Sequence, residues 1–338
     1  MSDVIRDLPG RTVREFRSLL KSGILFSAIL IAASCCFAQG PPPPKHAAAA
    51  ATAAAGPSAE QALQQARRGQ CQGVIPALKK LAGNPATAAD TRKEAATLGL
   101  RCSMTIDDRA TALDFLTILG KQFPKDPDVL FITVHAYSDL SSRTAQDLGR
   151  YAPQSIPARK LNAEALEMQG KWTEAQNEYK AILERDPNQK GIHYLMGRLL
   201  LSKPNGDAAA VQEAKAEFEK ELQVDPNNAG AEYILGEIAR QGSDWETAIA
   251  RFSKAAALDP NFGDAFMGWG FCLVTVKRYE EAVAPLRMAV RLEGQNPSAH
   301  YNLAVALSRS GKKEEAEKEF AIHRKMTEKP APAATNPN

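Results

Sequence analysis

Residues 245–270 read WETAIARFSKAAALDPNFGDAFMGWG, and nearly the same phrase recurs three more times along the chain. WTEAQNEYKAILERDPN begins at Trp172, YEEAVAPLRMAVRLEGQN at Tyr279 and EEAEKEFAIHRKM at Glu314. Aligning the Trp172, Trp245 and Tyr279 copies puts a small residue three places on, at Ala175, Ala248 and Ala282, and a bulky one four further, at Tyr179, Phe252 and Leu286. Pro187 and Pro260 close their copies, and Ala214, Phe218 and Pro226 obey the same rule, so Pro226 and Pro260 stand 34 residues apart. Upstream of each phrase lies a second apolar-periodic segment with a small residue near its middle: Ala163, Gly197, Gly236, Gly270 and Ala304.

Two helices approach closely only where side chains are small, so Gly or Ala in a first helix facing Ala in a second marks the contact of a hairpin, with aromatics filling the space around it. Proline then stops the second helix, because it lacks an N–H and pushes its predecessor out of the helical region. A single hairpin cannot bury its apolar stripe, so consecutive hairpins stack and share a continuous core. The expected fold is therefore all-α, an α-solenoid of antiparallel helix hairpins.

The period and the W, G, Y, A, F, P positions resemble the tetratricopeptide repeat, which implies a right-handed superhelix built from units at 156–189, 190–228, 229–262, 263–296 and 297–328. Two departures are local. In the second unit 39 residues separate Pro187 from Pro226, the excess falling in SKPNGD, where Pro204 and Gly206 mark a widened turn and Asp207 suits a helix cap. In the fourth, Gly294 stands where the closing proline would be. Residues 58–155 are helical in pattern but fit the template poorly. SAEQ at Ser58 and TRKE at Thr91 look like capping boxes, Ala112, Leu116, Leu119 and Pro124 imitate a second helix, and YSDLSSRTAQDLGRYAPQS offers a shortened one. About three degenerate hairpins are expected there.

The first 38 residues are a different text. Arg6, Arg11, Arg14, Arg17 and Lys21 precede the apolar run GILFSAILIAAS and then CCFA, the order of a secretory signal cleaved after Ala38. Two alternatives stay open. AASC at 32–35 loosely resembles a lipobox that would place a lipid on Cys35, and an uncleaved anchor would have to span with the sixteen residues Gly23–Ala38. Residues 39–57 form a Pro/Ala-rich tether and 329–338 a similar tail, neither able to bury enough to order itself. Beyond the leader the chain holds 37 basic against 36 acidic residues, so no nucleic-acid footprint exists, and a membrane is expected only through the N-terminal segment.

Five histidines, His46, His135, His193, His300 and His323, show no metal-ligand spacing, and no nucleophile motif or phosphate loop appears. Neither catalysis, metal nor cofactor is expected. Gly268 and Gly270 form G-x-G, but helix packing accounts for them. In an exported chain Cys71 and Cys102 are candidates for a disulfide that compensates for weak repeats, while Cys272 reads as a buried thiol.

What remains is the groove. The family resemblance implies that the fifth and ninth positions of each first helix point inward: Lys160 and Glu164, Tyr194 and Arg198, Tyr233 and Glu237, Met267 and Phe271, Tyr301 and Val305. The aromatics suggest a contact ladder for a protein or peptide partner with an apolar or amphipathic segment. The competing reading is that these tyrosines pack the helices together. Relatives that grip a peptide carboxylate use an Asn where this chain has Glu164, which argues against that mode.

Overall fold

A computed structural model describes residues 57–203 and 208–328. The leader with Cys35, the tether up to residue 56, the turn residues Pro204, Gly206 and Asp207, and the tail from 329 lie outside the described residues. Among the described residues there are fifteen helices and no strand, and no helix is long and apolar enough to cross a membrane. They divide into two compact units, up to Ala158 and from Arg159.

In the first unit α1 spans Ala59–Arg67, α2 Ile75–Gly83, α3 Ala89–Thr105, α4 Arg109–Gln122 and α5 Pro127–Tyr151. Ser58 caps α1 as a full capping box: its hydroxyl accepts from the Gln61 amide and the Gln61 side chain accepts from the Ser58 amide. The second expected box is not formed. Helix α3 starts two residues before Thr91, after an uncapped Ala88, and Glu94 turns away to accept two bonds from Arg67 at 2.6 and 2.8 Å. Phe115, Leu116 and Leu119 of α4 pack with Leu78, Ala95 and Val129 into this unit's core.

The Cys71 and Cys102 sulfurs stand 2.14 Å apart as a disulfide linking the turn before α2 to the last turns of α3. The expected short helix within YSDLSSRTAQDLGRYAPQS is instead the end of a 25-residue α5. Asp126 caps it and Pro127 occupies its first turn. Past that turn no Pro or Gly interrupts it before Gly149. The serine and threonine that weaken the pattern return hydroxyl bonds to carbonyls four residues back, Ser142 to Ser138 and Thr144 to Leu140. Within this unit α5 packs on α3 and α4, and its Val129, Ala136 and Leu140 join the core.

From Ile156 the chain alternates first and second helices: α6 (Ile156–Met168) and α7 (Trp172–Arg185), α8 (Ile192–Ser202) and α9 (Ala208–Val224), α10 (Ala229–Gln241) and α11 (Trp245–Leu258), α12 (Gly263–Thr275) and α13 (Tyr279–Leu292), α14 (Pro297–Arg309) and α15 (Lys313–Thr327). From α9 on, each second helix packs on its own first helix, and α7, α9, α11 and α13 each pack on the first helix of the next unit; α7 is joined to α6 by the Tyr179 hydroxyl, which donates to Glu167 at 2.7 Å.

The helical glycines do not face the alanines directly, as the sequence suggests. They sit under the bulky residue that follows each alanine by four places. A Cβ on Gly236 would lie 2.8 Å from the Phe252 ring, Gly197 meets Phe218 in the same way, and Gly270 lies against Leu286. The glycine is there because the ring is. Phe218, Phe252 and Leu286 are fully buried, each worth about 1.5 to 3 kcal/mol of burial.

The turn inside each hairpin has its own repeat. Gly170, Ser243, Lys277 and Gly311 all adopt positive φ two residues before a second helix, and Asp107 does so ahead of α4. Gly carries this conformation freely, whereas Ser243 (φ 58°) and Lys277 (φ 66°) hold it under strain.

Candidate functional site

On the faces of α10, α12 and α14 lies a pocket of about 330 Å³, lined by Tyr233, Glu237 and Arg240, by Asp264, Met267, Gly268 and Phe271, and by Asn296, Ser298 and Asn302. Every lining residue belongs to a first helix or, for Asn296, to its cap. Counted from each helix start, the positions are the second, fifth, sixth, ninth and twelfth, a single stripe at spacings of three and four.

Of the expected groove residues, Tyr233, Glu237, Met267 and Phe271 meet in this pocket. Lys160 and Glu164 are exposed on α6, and Tyr194, Arg198, Tyr301 and Val305 stand outside it. The tyrosines are built into the hairpins. Tyr194 meets Phe218 at 5.6 Å between ring centroids, Tyr233 meets Phe252 at 5.6 Å, and Tyr301 meets Phe320 at 6.0 Å. Each is the second-helix aromatic of the same unit, so packing explains the recurrence of tyrosine. Tyr233 also contacts Phe262 and is only 8% exposed, and burial pushes its hydroxyl pKa well above the usual value.

The pocket's polar groups were not all legible as contacts. Arg240 donates from Nε and Nη2 to the two Glu237 carboxylate oxygens at 3.1 and 2.8 Å, and its guanidinium carbon sits 5.8 Å from the Phe271 ring centre. Burial works against that charge, but the bonds and charge of Glu237 outweigh it and hold the guanidinium pKa up. Asn302, 8% exposed, donates its amide to the Ser298 carbonyl at 2.8 Å. The Asp264 carboxyl is raised from its ordinary range by desolvation, then by the nearby carboxylates of Glu293 and Glu237. Asn296 holds Glu293 by a 3.0 Å bond.

The remaining candidates take structural parts. His193 Nδ1 lies 2.6 Å from Glu217 and His300 Nδ1 2.6 Å from Glu319, each pair joining the two helices of one hairpin. No grouping of three metal-ligating side chains occurs among the described residues. Cys272 is buried beside Arg240 and Glu237, and burial pushes its thiol up to about 12, which leaves no thiolate at neutral pH.

Fold and groove together define an α-solenoid of tandem helix hairpins with a pocket on its first helices. The Tetratricopeptide repeat family model matches residues 161–216, 211–261 and 273–329, and the repeats of this chain are tetratricopeptide repeats. No curated protein is similar enough to match. Among solved structures, a MamA protein aligns at 20% identity over 51% of this chain and 91% of its own, with TM-score 0.43. MamA from Desulfovibrio magneticus RS-1 aligns at 19% over 51% and 94%, TM-score 0.43. YrrB, described as a TPR protein with an unusual peptide-binding site, aligns at 20% over 54% and 92%, TM-score 0.45.

Proposed function

We propose that this chain is an exported, non-catalytic scaffold that holds a segment of another protein against the first-helix face of its repeats, in the assembly of an envelope structure. The observation that carries the reading is the pocket whose lining comes from the first helices of three consecutive units. A repeat array gains such a surface by stacking, with no residue needed for chemistry. Binding rather than catalysis is favoured because Glu237, the carboxylate that could serve as a base in the lining, is engaged by Arg240 through two bonds. Export is supported by the basic-then-apolar leader and by the Cys71–Cys102 pair, a bond that persists in oxidising compartments.

The test is site-specific photocrosslinking in native cells. A crosslinker at Met267 in the pocket should capture a discrete protein adduct, and one at Glu280, exposed on the second helix α13, should not. Equal capture at both positions, or none at Met267, removes the groove as the working surface. A second reading, a lipoprotein anchored through Cys35, rests on AASC at 32–35. The intact mass of the mature N-terminus decides between them, since cleavage after Ala38 leaves Gln39 first and lipidation leaves an acylated Cys35.

A further inference from the structure

We infer that the pocket between α10, α12 and α14 receives a basic side chain, lysine or arginine, presented by the partner polypeptide; this rests on the groove reading above. The argument is an inventory of charge and of hydrogen-bond capacity. Glu237 and Arg240 neutralise one another through two bonds. That leaves the Asp264 carboxylate, which has no hydrogen bond and no cation among the described residues, with Glu293 adding negative charge nearby. Asn302 is more than nine-tenths buried, and with its amide committed to the Ser298 carbonyl its side-chain oxygen has no donor among the described residues. Beside the hydroxyls of Tyr233 and Ser298, which can donate or accept, the site therefore offers a carboxylate and an amide oxygen, both acceptors, and the one cation in its lining is already engaged.

Each class of occupant meets this differently. A carboxylate or phosphate would face Asp264 with Arg240 unavailable. A purely apolar side chain would bury the Asp264 and Asn302 oxygens without partners, stripping each of its water with nothing in return. A basic side chain satisfies both oxygens, and its methylene stem lies along Met267 and Phe271 as long cationic side chains do on apolar surface. The sequence alone suggests apolar and aromatic contacts here; the pocket adds a charged end to that apolar wall.

Random peptides displayed on phage and selected against the full chain provide the experiment. Enriched peptides should share one lysine or arginine, and replacing it by norleucine should weaken binding about tenfold, the loss of a hydrogen bond to a charged group. Asp264→Asn should weaken the same peptides comparably with circular dichroism unchanged, and Asn302→Asp, which adds a negative charge to the same pocket, should tighten them. Peptides that bind without a basic residue, or bind Asp264→Asn equally well, overturn the charge assignment and leave the groove reading standing. Absence of any binding peptide overturns both. Spermine binding with the same dependence on Asp264 while no peptide binds would make this a site for free amines and overturn the peptide assignment.

Discussion

Substituting Gly236 by Ala should destabilise the protein, although alanine is the better helix former by about 1 kcal/mol. The reason is the Phe252 ring. A Cβ on Gly236 would come 2.8, 2.9 and 3.1 Å from Phe252 Cδ1, Cε1 and Cγ, and one on Gly268 of the next unit would come 2.9 Å from Cε1 and Cζ. The ring edge is thus held between two helices and is fully buried, so it has no slack into which to move. Overpacking of this kind costs about 1 to 3 kcal/mol, which leaves a net loss of about 1 kcal/mol for Gly236→Ala. In a Phe252→Leu background the crowding disappears and the helix preference remains, so the same change should gain about 1 kcal/mol. The coupling of about 2 kcal/mol is read from a double-mutant cycle. Urea unfolding followed by circular dichroism measures it from midpoints at constant slope. Equal effects of Gly236→Ala in both backgrounds, or a gain with Phe252 in place, refute the claim that the ring requires the glycine.

Reducing the Cys71–Cys102 bridge, or replacing both cysteines by serine, should cost about 4 kcal/mol for a loop of 31 residues, seen as a lowered unfolding midpoint for the unit ending at Ala158; an unchanged midpoint rejects the bond's contribution. Gly311→Ala, at a turn with φ +86° and open space around it, should cost about 1 kcal/mol from backbone strain alone, whereas Lys277→Gly at the equivalent turn should not destabilise. Opposite signs would show that the left-handed turn is not the cause. Asp264 carries a raised pKa in the folded state, so its contribution is fully present below the unfolded value of about 4 and is lost as pH rises through the folded one. Asp264→Asn should therefore be more stable than the parent at neutral pH, and that advantage should vanish toward about pH 4. A pH-independent difference would mean that desolvation and the carboxylates of Glu293 and Glu237 do not set the titration of Asp264.

The hairpins were legible because a 34-residue period repeats small and bulky residues in register, and the helices from Ile156 to Thr327 follow those units. The first unit was less so. Thr91 followed by Glu94 has the spacing of a capping box, yet a long-range partner, Arg67, takes the glutamate, and spacing cannot reveal competition from a residue 27 positions away. The length of α5 was hidden because Ser142 and Thr144 read as helix-weakening, while their hydroxyls are satisfied within the helix. At the site, the fifth and ninth positions found Tyr233, Glu237, Met267 and Phe271. Extending the same stripe by one turn each way, to the second and twelfth positions, reaches Asp264, Ser298 and Arg240 as well. The Glu237–Arg240 pair has the spacing of three that brings opposite charges together on a helix, whereas no pattern announces that Asp264 on the next first helix is left without a cation among the described residues.

The disulfide also has a mechanical meaning. Residues 71–102 form a covalently closed loop holding all of α2 and most of α3. When tension is applied across the loop, from a point before Cys71 to one after Cys102, the load passes through the sulfur–sulfur bond and bypasses both helices. The 31-residue separation represents roughly 100 Å of extended chain, a length the oxidised protein cannot release under load and the reduced protein can. The first unit therefore carries a length limiter, set by the redox state of two cysteines.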